Sequence, residues 1–133
     1  DAAALEMARA NARTHGVALE LLHGPWWQPL AGRCFELILS NPPYIAADDP
    51  HLPALAHEPR HALTPGGDGL DALRVLTAGA PAHLAPGGQL LVEHGFDQGQ
   101  AVRALLVAAG LEAIATRHDL AGHERCSGGR LAP

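Results

Sequence analysis

Aromatic residues make up only 4% of the 133-residue chain, so its core has to be built from Ala, Leu and Val. Cysteine is scarce too: Cys34 and Cys126 are the only two, and they form no C-x-x-C pair. A reduced, cytoplasmic protein is the simplest reading of that usage. No apolar run approaches the ~20 residues of a membrane span, and no leader-peptide pattern is present. Basic residues do not cluster, and the net charge is −5. A partner gripped mainly through a phosphate backbone is therefore not expected, nor is direct nucleic-acid binding. The first residue, Asp1, runs straight into a helical pattern with no initiator methionine and no strand before it. We read the chain as a portion of a longer protein.

What is present alternates between two periodicities. Residues 2–15 are Ala-rich, with Leu5, Met7, Ala8 and Ala12 near one face, and predict a helix ending before Gly16. Val17 to Leu22 is a short strand candidate, and His23 to Arg33 a loop punctuated by Gly24, Pro25, Pro29 and Gly32. Phe35 to Ser40 reads as a buried central strand. Helices are expected over residues 69–83 and 98–109, the second closed by Gly110. Pro86-Gly87-Gly88 marks a turn, Gln89 to Glu93 a second buried strand, and Leu111 to Arg117 and Gly129 to Leu131 two more. Strands alternating with helices place the chain, residues 1–133, in the α/β class with a largely parallel sheet.

Between the central strand and the next helix lies a long segment, Asn41 to Asp68. Loops of that length are uncommon in compact domains and usually carry function. It begins with Asn41-Pro42-Pro43-Tyr44. One reading is a plain turn, since Asn and Pro are turn formers. The other follows from its place at a strand's carboxyl end, where open α/β sheets bind ligands. The two prolines lack an N–H and fix φ, so the corner is stiff and rich in acceptors. That suits gripping a planar N–H₂ group.

Other motifs stand beside plainer alternatives. His57-Glu58-Pro59-Arg60-His61 matches H-E-x-x-H, but zinc binding needs both histidines on one helix face, and Pro59 disfavours that helix. A polar loop segment is expected, or Glu58 acts as an anchor of the substrate loop. Pro65-Gly66-Gly67-Asp68-Gly69 lacks the Lys-Ser/Thr of a phosphate loop, and Asp68 is expected to cap the following helix. His15, His23, His51, His83, His94, His118 and His123 show no ligand spacing and are expected at the surface or in loops. Trp26-Trp27 either packs its own loop or forms a wall against a flat aromatic group such as adenine. Glu93-His94-Gly95 is a capping turn or a second wall of the same cleft.

Taken together, these segments resemble the protein-(glutamine-N5) methyltransferases that act on class I peptide release factors, the HemK/PrmC family. The matching pieces begin with Ala8-Arg9-Ala10-Asn11-Ala12, Trp26-Trp27, Leu37 to Ile45, and His57-Glu58-Pro59 with Ala62-Leu63. They continue with Asp68-Gly69-Leu70, Pro86-Gly87-Gly88, Glu93-His94-Gly95 with Gln98-Gly99, and Asp119 to Gly122 with Arg125 and Gly129-Arg130-Leu131. Asn-Pro-Pro-Tyr alone is shared with adenine-N6 and other amino-group methyltransferases. The later segments favour the release-factor type.

The resemblance implies a seven-stranded, Rossmann-like class I methyltransferase fold that uses S-adenosylmethionine, here lacking its first two strands and forming the C-terminal portion of the catalytic domain. It implies that Asn41 and Pro42 accept the two N–H bonds of the glutamine in a release factor's Gly-Gly-Gln loop. Pro43, Tyr44 and Glu58 complete the substrate site, and Trp26 and Asn41 border the cofactor. No metal is implied. The chain departs from the family's pattern in having no glycine-rich loop and no ribose-holding acid after a second strand. Asp1 falls just beyond that acidic position, and Pro25 replaces an acid carried by many relatives. By itself the chain is therefore expected to bind cofactor poorly. In the family's sheet the first two strands separate the third and fourth, here Val17 to Leu22 and Phe35 to Ser40. The alternatives are an amino-group nucleic-acid methyltransferase and an inactive fragment acting only in binding.

Overall fold

Leu90 and Val92 are fully buried while Leu91 and Glu93 on either side are half-buried, the period-two signature of a strand with one covered face. In the computed structural model, which describes residues 1–133, that strand organises a four-stranded sheet. The chain forms two compact units, Asp1–Ala31 and Gly32–Pro133.

The first unit is carried by α1, Ala2–Thr14. The Asp1 carboxylate accepts from the backbone N–H of Ala3 at 2.8 Å and of Ala4 at 3.3 Å, which satisfies two of the donors that a helix start leaves without partners. Asp1 is thus a helix cap in this unit. The expected strand at Val17 to Leu22 does not form: the segment has no regular structure, and Val17 and Leu19 are more than half exposed. A strand's N–H and C=O groups need a neighbouring strand, and this unit contains none.

The second unit holds β1 (Phe35–Ser40), α2 (Arg60–Leu63), α3 (Asp71–Gly79), β2 (Leu84–Glu93), α4 (Gly99–Ala108), β3 (Glu112–His118) and β4 (Glu124–Arg130). The order across the sheet is β1-β2-β4-β3. β1 pairs with β2 in parallel, and β4 pairs antiparallel with both β2 and β3. Three strands therefore share one direction, and only β4 reverses. The reversal comes from the tight Asp119–His123 connection, in which the Asp119 N–H donates to the His123 carbonyl at 2.9 Å. The largely parallel expectation describes strand direction but not pairing, since two of the three ladders are antiparallel.

The core sits on one face of the sheet. Leu73 and Leu76 of α3, Leu90 and Val92 of β2, and Val102 and Leu106 of α4 are all buried. α4 packs against β3, β4 and α3. The other face is open: Leu37 and Leu39 of β1 are 50% and 67% exposed, and they pair with Gln89 and Leu91 of β2. β1 is thus an edge strand with a half-exposed face rather than the buried central strand that its composition predicts. The Pro86-Gly87-Gly88 turn lies inside β2 as a bulge, where the register jumps from Phe35↔Leu84 to Leu37↔Gln89. Gly87 takes φ +73 there, a conformation that favours glycine.

Candidate acceptor site

Because β1 and β2 are parallel and Ser40 pairs with Val92, Asn41 and Glu93 emerge side by side at the same end of the sheet. The corner Asn41-Pro42-Pro43-Tyr44 leaves β1 there. Asn41 is exposed, Pro42 is buried, and Pro43 and Tyr44 are half-buried. A polar side chain thus stands forward on a buried, φ-locked base.

The corner is tied down from three sides. First, the Tyr44 hydroxyl donates to the Glu93 carboxylate at 2.9 Å. Partial burial, then the hydrogen bond and the negative charge of Glu93, push the Tyr44 phenol above its ordinary value, with Arg125 opposing. Second, the Gln98 carboxamide joins the corner to the turn after β2. Its Nε2 donates to the Tyr44 carbonyl at 2.9 Å, and its Oε1 accepts from the Gly95 N–H at 2.8 Å. Third, the glycine-rich turn before α3 packs on the corner. Gly69 has φ +78, and a Cβ there would overlap the Tyr44 carbonyl oxygen. Ile45 and Ala47 continue the anchoring by donating to the carbonyls of Leu63 and Gly67 at 3.0 Å each.

Asp68 holds that turn. Its carboxylate accepts from the Leu70 N–H at 3.1 Å and pairs with Arg74 at 2.6 Å. The Arg74 guanidinium and that backbone donor lower the Asp68 carboxyl to about 2. Asp68 does not cap α3 as expected: Leu70 is the cap residue and receives no side-chain cap bond, and the Asp68 carboxylate closes the turn before the helix instead.

His94, expected at the surface or in a loop, lies in the turn after β2 and is fully buried there. Its Nδ1 lies 2.8 Å from the Gly95 carbonyl, which can only accept, so Nδ1 carries the proton. In the neutral ring Nε2 then accepts from Ser127 Oγ at 2.8 Å. Ser127 in turn lies 2.8 Å from Thr116 Oγ1, which accepts from Arg103 at 2.9 Å. Arg103 also pairs with Glu124 at 2.9 Å. A directional chain thus runs from a charged surface pair to the turn that carries Gly95. His83 is also buried, with Nδ1 3.0 Å from the Arg33 carbonyl. In both cases burial follows from a backbone carbonyl within reach of the ring, which spacing along the sequence does not encode.

A shallow hollow of about 300 Å³ opens beside the corner, lined by Leu39, Ser40, Asn41, Leu91, Glu93 and Cys126. Burial and the Glu93 charge raise the Cys126 thiol above its ordinary value. Glu58 is not in this hollow. It lines a separate one of about 540 Å³ within the Asn41–Asp68 segment, together with Asp48, Asp49 and Arg60. Trp26 lies in the first unit, 43% exposed and with φ +44. α2 begins at Arg60 with Pro59 as its cap, so His57 lies outside the helix that carries His61. The structure therefore brings Asn41, Pro42 and Tyr44 together with Glu93 and Gln98. Glu93 was expected only as a turn or wall, and Gln98 carried no expected role.

No family model matches the chain. Among curated proteins, the release factor glutamine methyltransferase of Xylella fastidiosa (strain Temecula1) is 57% identical over 132 residues, covering 97% of this chain and 48% of that protein. The protein of the same name in Bordetella pertussis is 50% identical over 133 residues, covering 98% of this chain and 49% of that one. The chain spans about half the length of the curated relatives it matches. Among solved structures, a methyltransferase from Pyrococcus furiosus superposes with a TM-score of 0.69 at 18% identity, covering 100% of this chain and 60% of that one. An O-methyltransferase family protein from Burkholderia thailandensis gives 0.58 at 16% identity, covering 96% and 40%. These structures speak for the fold alone. Over nearly its whole length the chain is similar in sequence to release factor glutamine methyltransferases, and it shares a Rossmann-like fold with the Pyrococcus furiosus structure.

Proposed function

We propose that the chain supplies the acceptor-binding part of an S-adenosylmethionine-dependent enzyme. That enzyme methylates the side-chain amide nitrogen (N5) of a glutamine in class I peptide chain release factors, in the cytoplasm. The observation that carries this reading is the corner itself: Asn41 stands exposed on a rigid base at the carboxyl end of β1, beside Glu93. The activity for which the relatives are named supplies the substrate.

A carboxamide nitrogen is a poor nucleophile because its lone pair is delocalised into the carbonyl. The Asn41 side-chain oxygen and the Pro42 carbonyl accept its two N–H bonds. They aim the nitrogen and favour the positive charge that develops on it. Tyr44 packs beside the substrate side chain, its ring held by the bond to Glu93.

The residues of this chain fit the methyl donor only in part. The hollow at Leu39, Ser40 and Asn41 can border its reactive end, but the chain has no glycine-rich loop after a strand to hold the remainder. When bound, the donor supplies an activated methyl group. The proton lost from the amide can leave after transfer, so the geometry demands no strong general base.

The test is methyl transfer from labelled S-adenosylmethionine. The chain is placed in the position of the matching 132 residues of the Xylella fastidiosa relative. The expected acceptor is release factor, and label must be lost when its Gly-Gly-Gln glutamine is changed. Label appearing only on tRNA, rRNA or DNA would instead establish the amino-group nucleic-acid enzyme that shares the tetrapeptide.

A further inference from the structure

We propose that Gln98 is a positioning residue for the acceptor corner: its carboxamide sets the direction of the Pro42 and Asn41 acceptors through the Tyr44 carbonyl. The inference rests on the reading of Asn41 to Tyr44 as the corner that binds the amide.

Gln98 reaches across 54 residues of sequence to Tyr44. It sits at the cap of α4 and is half-buried. A primary carboxamide carries an acceptor and a donor on one rigid plane, and Gln98 uses both. Oε1 takes the Gly95 N–H, and Nε2 gives to the Tyr44 carbonyl, with the Asp68 carbonyl at 3.5 Å. One side chain thereby links three segments: the turn after β2, the acceptor corner and the turn before α3.

The slot around this amide is built from two glycines. A Cβ on Gly69 would stand 2.9 Å from Gln98 Nε2, and one on Gly95 would stand 3.1 Å from Gln98 Oε1. The first approach is closer than a Cβ comes to a neighbour and the second is tighter than an ordinary contact, so the two glycines leave room for the carboxamide. The lever arm is short: between the Tyr44 carbonyl and the Pro42 carbonyl lie two residues, of which Pro43 has a locked φ. With that torsion fixed, fewer rotations are left to absorb a turn of the Tyr44 peptide plane before it reaches the Pro42 acceptor. Amide methylation needs its two acceptors aimed at one nitrogen, and misplacement by about 1 Å can cost ~100-fold in rate.

The experiment separates the two ends of the amide. Gln98→Glu keeps an acceptor for the Gly95 N–H and loses the donor to Tyr44, while Gln98→Ala loses both. In the 133-residue chain, NMR should show the Asn41 side-chain amide and the Ile45 N–H displaced in both variants. Exchange of the Gly95 N–H should quicken only in Gln98→Ala. In the Xylella fastidiosa chimaera, Gln98→Glu should lower kcat at least ~10-fold with little change in the KM for release factor. Asn41 and Ile45 resonances that stay in place in Gln98→Glu overturn the proposal, as does a variant that merely melts earlier at unchanged kcat. If Gln98→Ala does not fold, the near-isosteric Gln98→Glu decides alone. A wild-type chimaera without transfer to release factor sinks the proposed function, while the NMR outcome still judges the role of Gln98.

Discussion

The Tyr44 hydroxyl donates to the Glu93 carboxylate at 2.9 Å, joining the end of β1 to the end of β2 across 49 residues of sequence. Tyr44→Phe removes this bond with little change of shape. A hydrogen bond to a charged group contributes roughly 1.5–3 kcal/mol when buried, and the half-exposed site reduces that to about 1 kcal/mol. The pH dependence has a definite sign. The folded-state phenol titrates above its ordinary value of 10.0, so above that pH the unfolded chain loses its proton first. Stability is then fully present below pH 10.0 and falls as pH rises through the folded value. Urea unfolding between neutral and strongly alkaline pH should show this decline in the wild type, and Tyr44→Phe should flatten it.

The buried chain that ends on His94 makes a separate prediction. Ser127 is fully buried, and its hydroxyl is the partner of His94 Nε2 at 2.8 Å. Ser127→Ala leaves that nitrogen in the core without a partner, and Thr116 loses one as well. An unsatisfied buried polar group costs about 1–3 kcal/mol. Chemical denaturation should show a loss of that size. The Gly95 and Gln98 resonances should shift, because His94 also bonds the Gly95 carbonyl.

The sequence displays some of this organisation and conceals the rest for physical reasons. α1, β1 and α4 are legible because each carries its own periodicity, and Gly16 and Gly110 close the two helices with positive φ. The Val17 to Leu22 segment misleads because strand propensity is local while the partner it needs is not. The burial of β1 is overstated for a related reason: Leu37 and Leu39 look like core residues, yet whether a strand lies at an edge is decided by its neighbours. The corner at Asn41 is visible because prolines after a strand are rare and mark a backbone that must stop there. Gln98 and Ser127 stay hidden because each is a common polar residue whose role arises only when segments 54 and 33 residues apart meet.

Gly69 makes the packing of the corner testable without touching a polar group. Alanine there must adopt φ +78 and place its Cβ against the Tyr44 carbonyl oxygen. The left-handed conformation alone costs roughly 1–2 kcal/mol for a residue with a Cβ, and relieving the overlap displaces the corner or the turn. Gly69→Ala should lower stability by about 2 kcal/mol or more in denaturant titration. The control is Gly87→Ala, where φ is +73 but a Cβ meets nothing within 4 Å. It should lose only the conformational part, and the difference between the two measures the contact with Tyr44.

Asn41 separates chemistry from folding most cleanly. It is exposed, whereas Pro42 behind it is buried, so Asn41→Ala should leave the melting temperature within the small range of surface substitutions. Its effect on transfer should be large. Removing one preorganised group that stabilises developing charge typically costs about 100- to 1,000-fold in rate, and Asn41 is proposed to supply one of the two acceptors. Asn41→Asp sharpens the case. A carboxylate keeps an oxygen able to accept the substrate N–H, but it places a negative charge beside that of Glu93, which lines the same hollow from the neighbouring strand. If hydrogen-bond acceptance alone mattered, aspartate would retain most of the rate. If the corner must present a neutral acceptor of fixed direction, aspartate should fall well below wild type, though above alanine. Single-turnover transfer by the chimaera, with release factor saturating, distinguishes these outcomes. An alanine variant as fast as wild type would remove Asn41 from the reaction altogether.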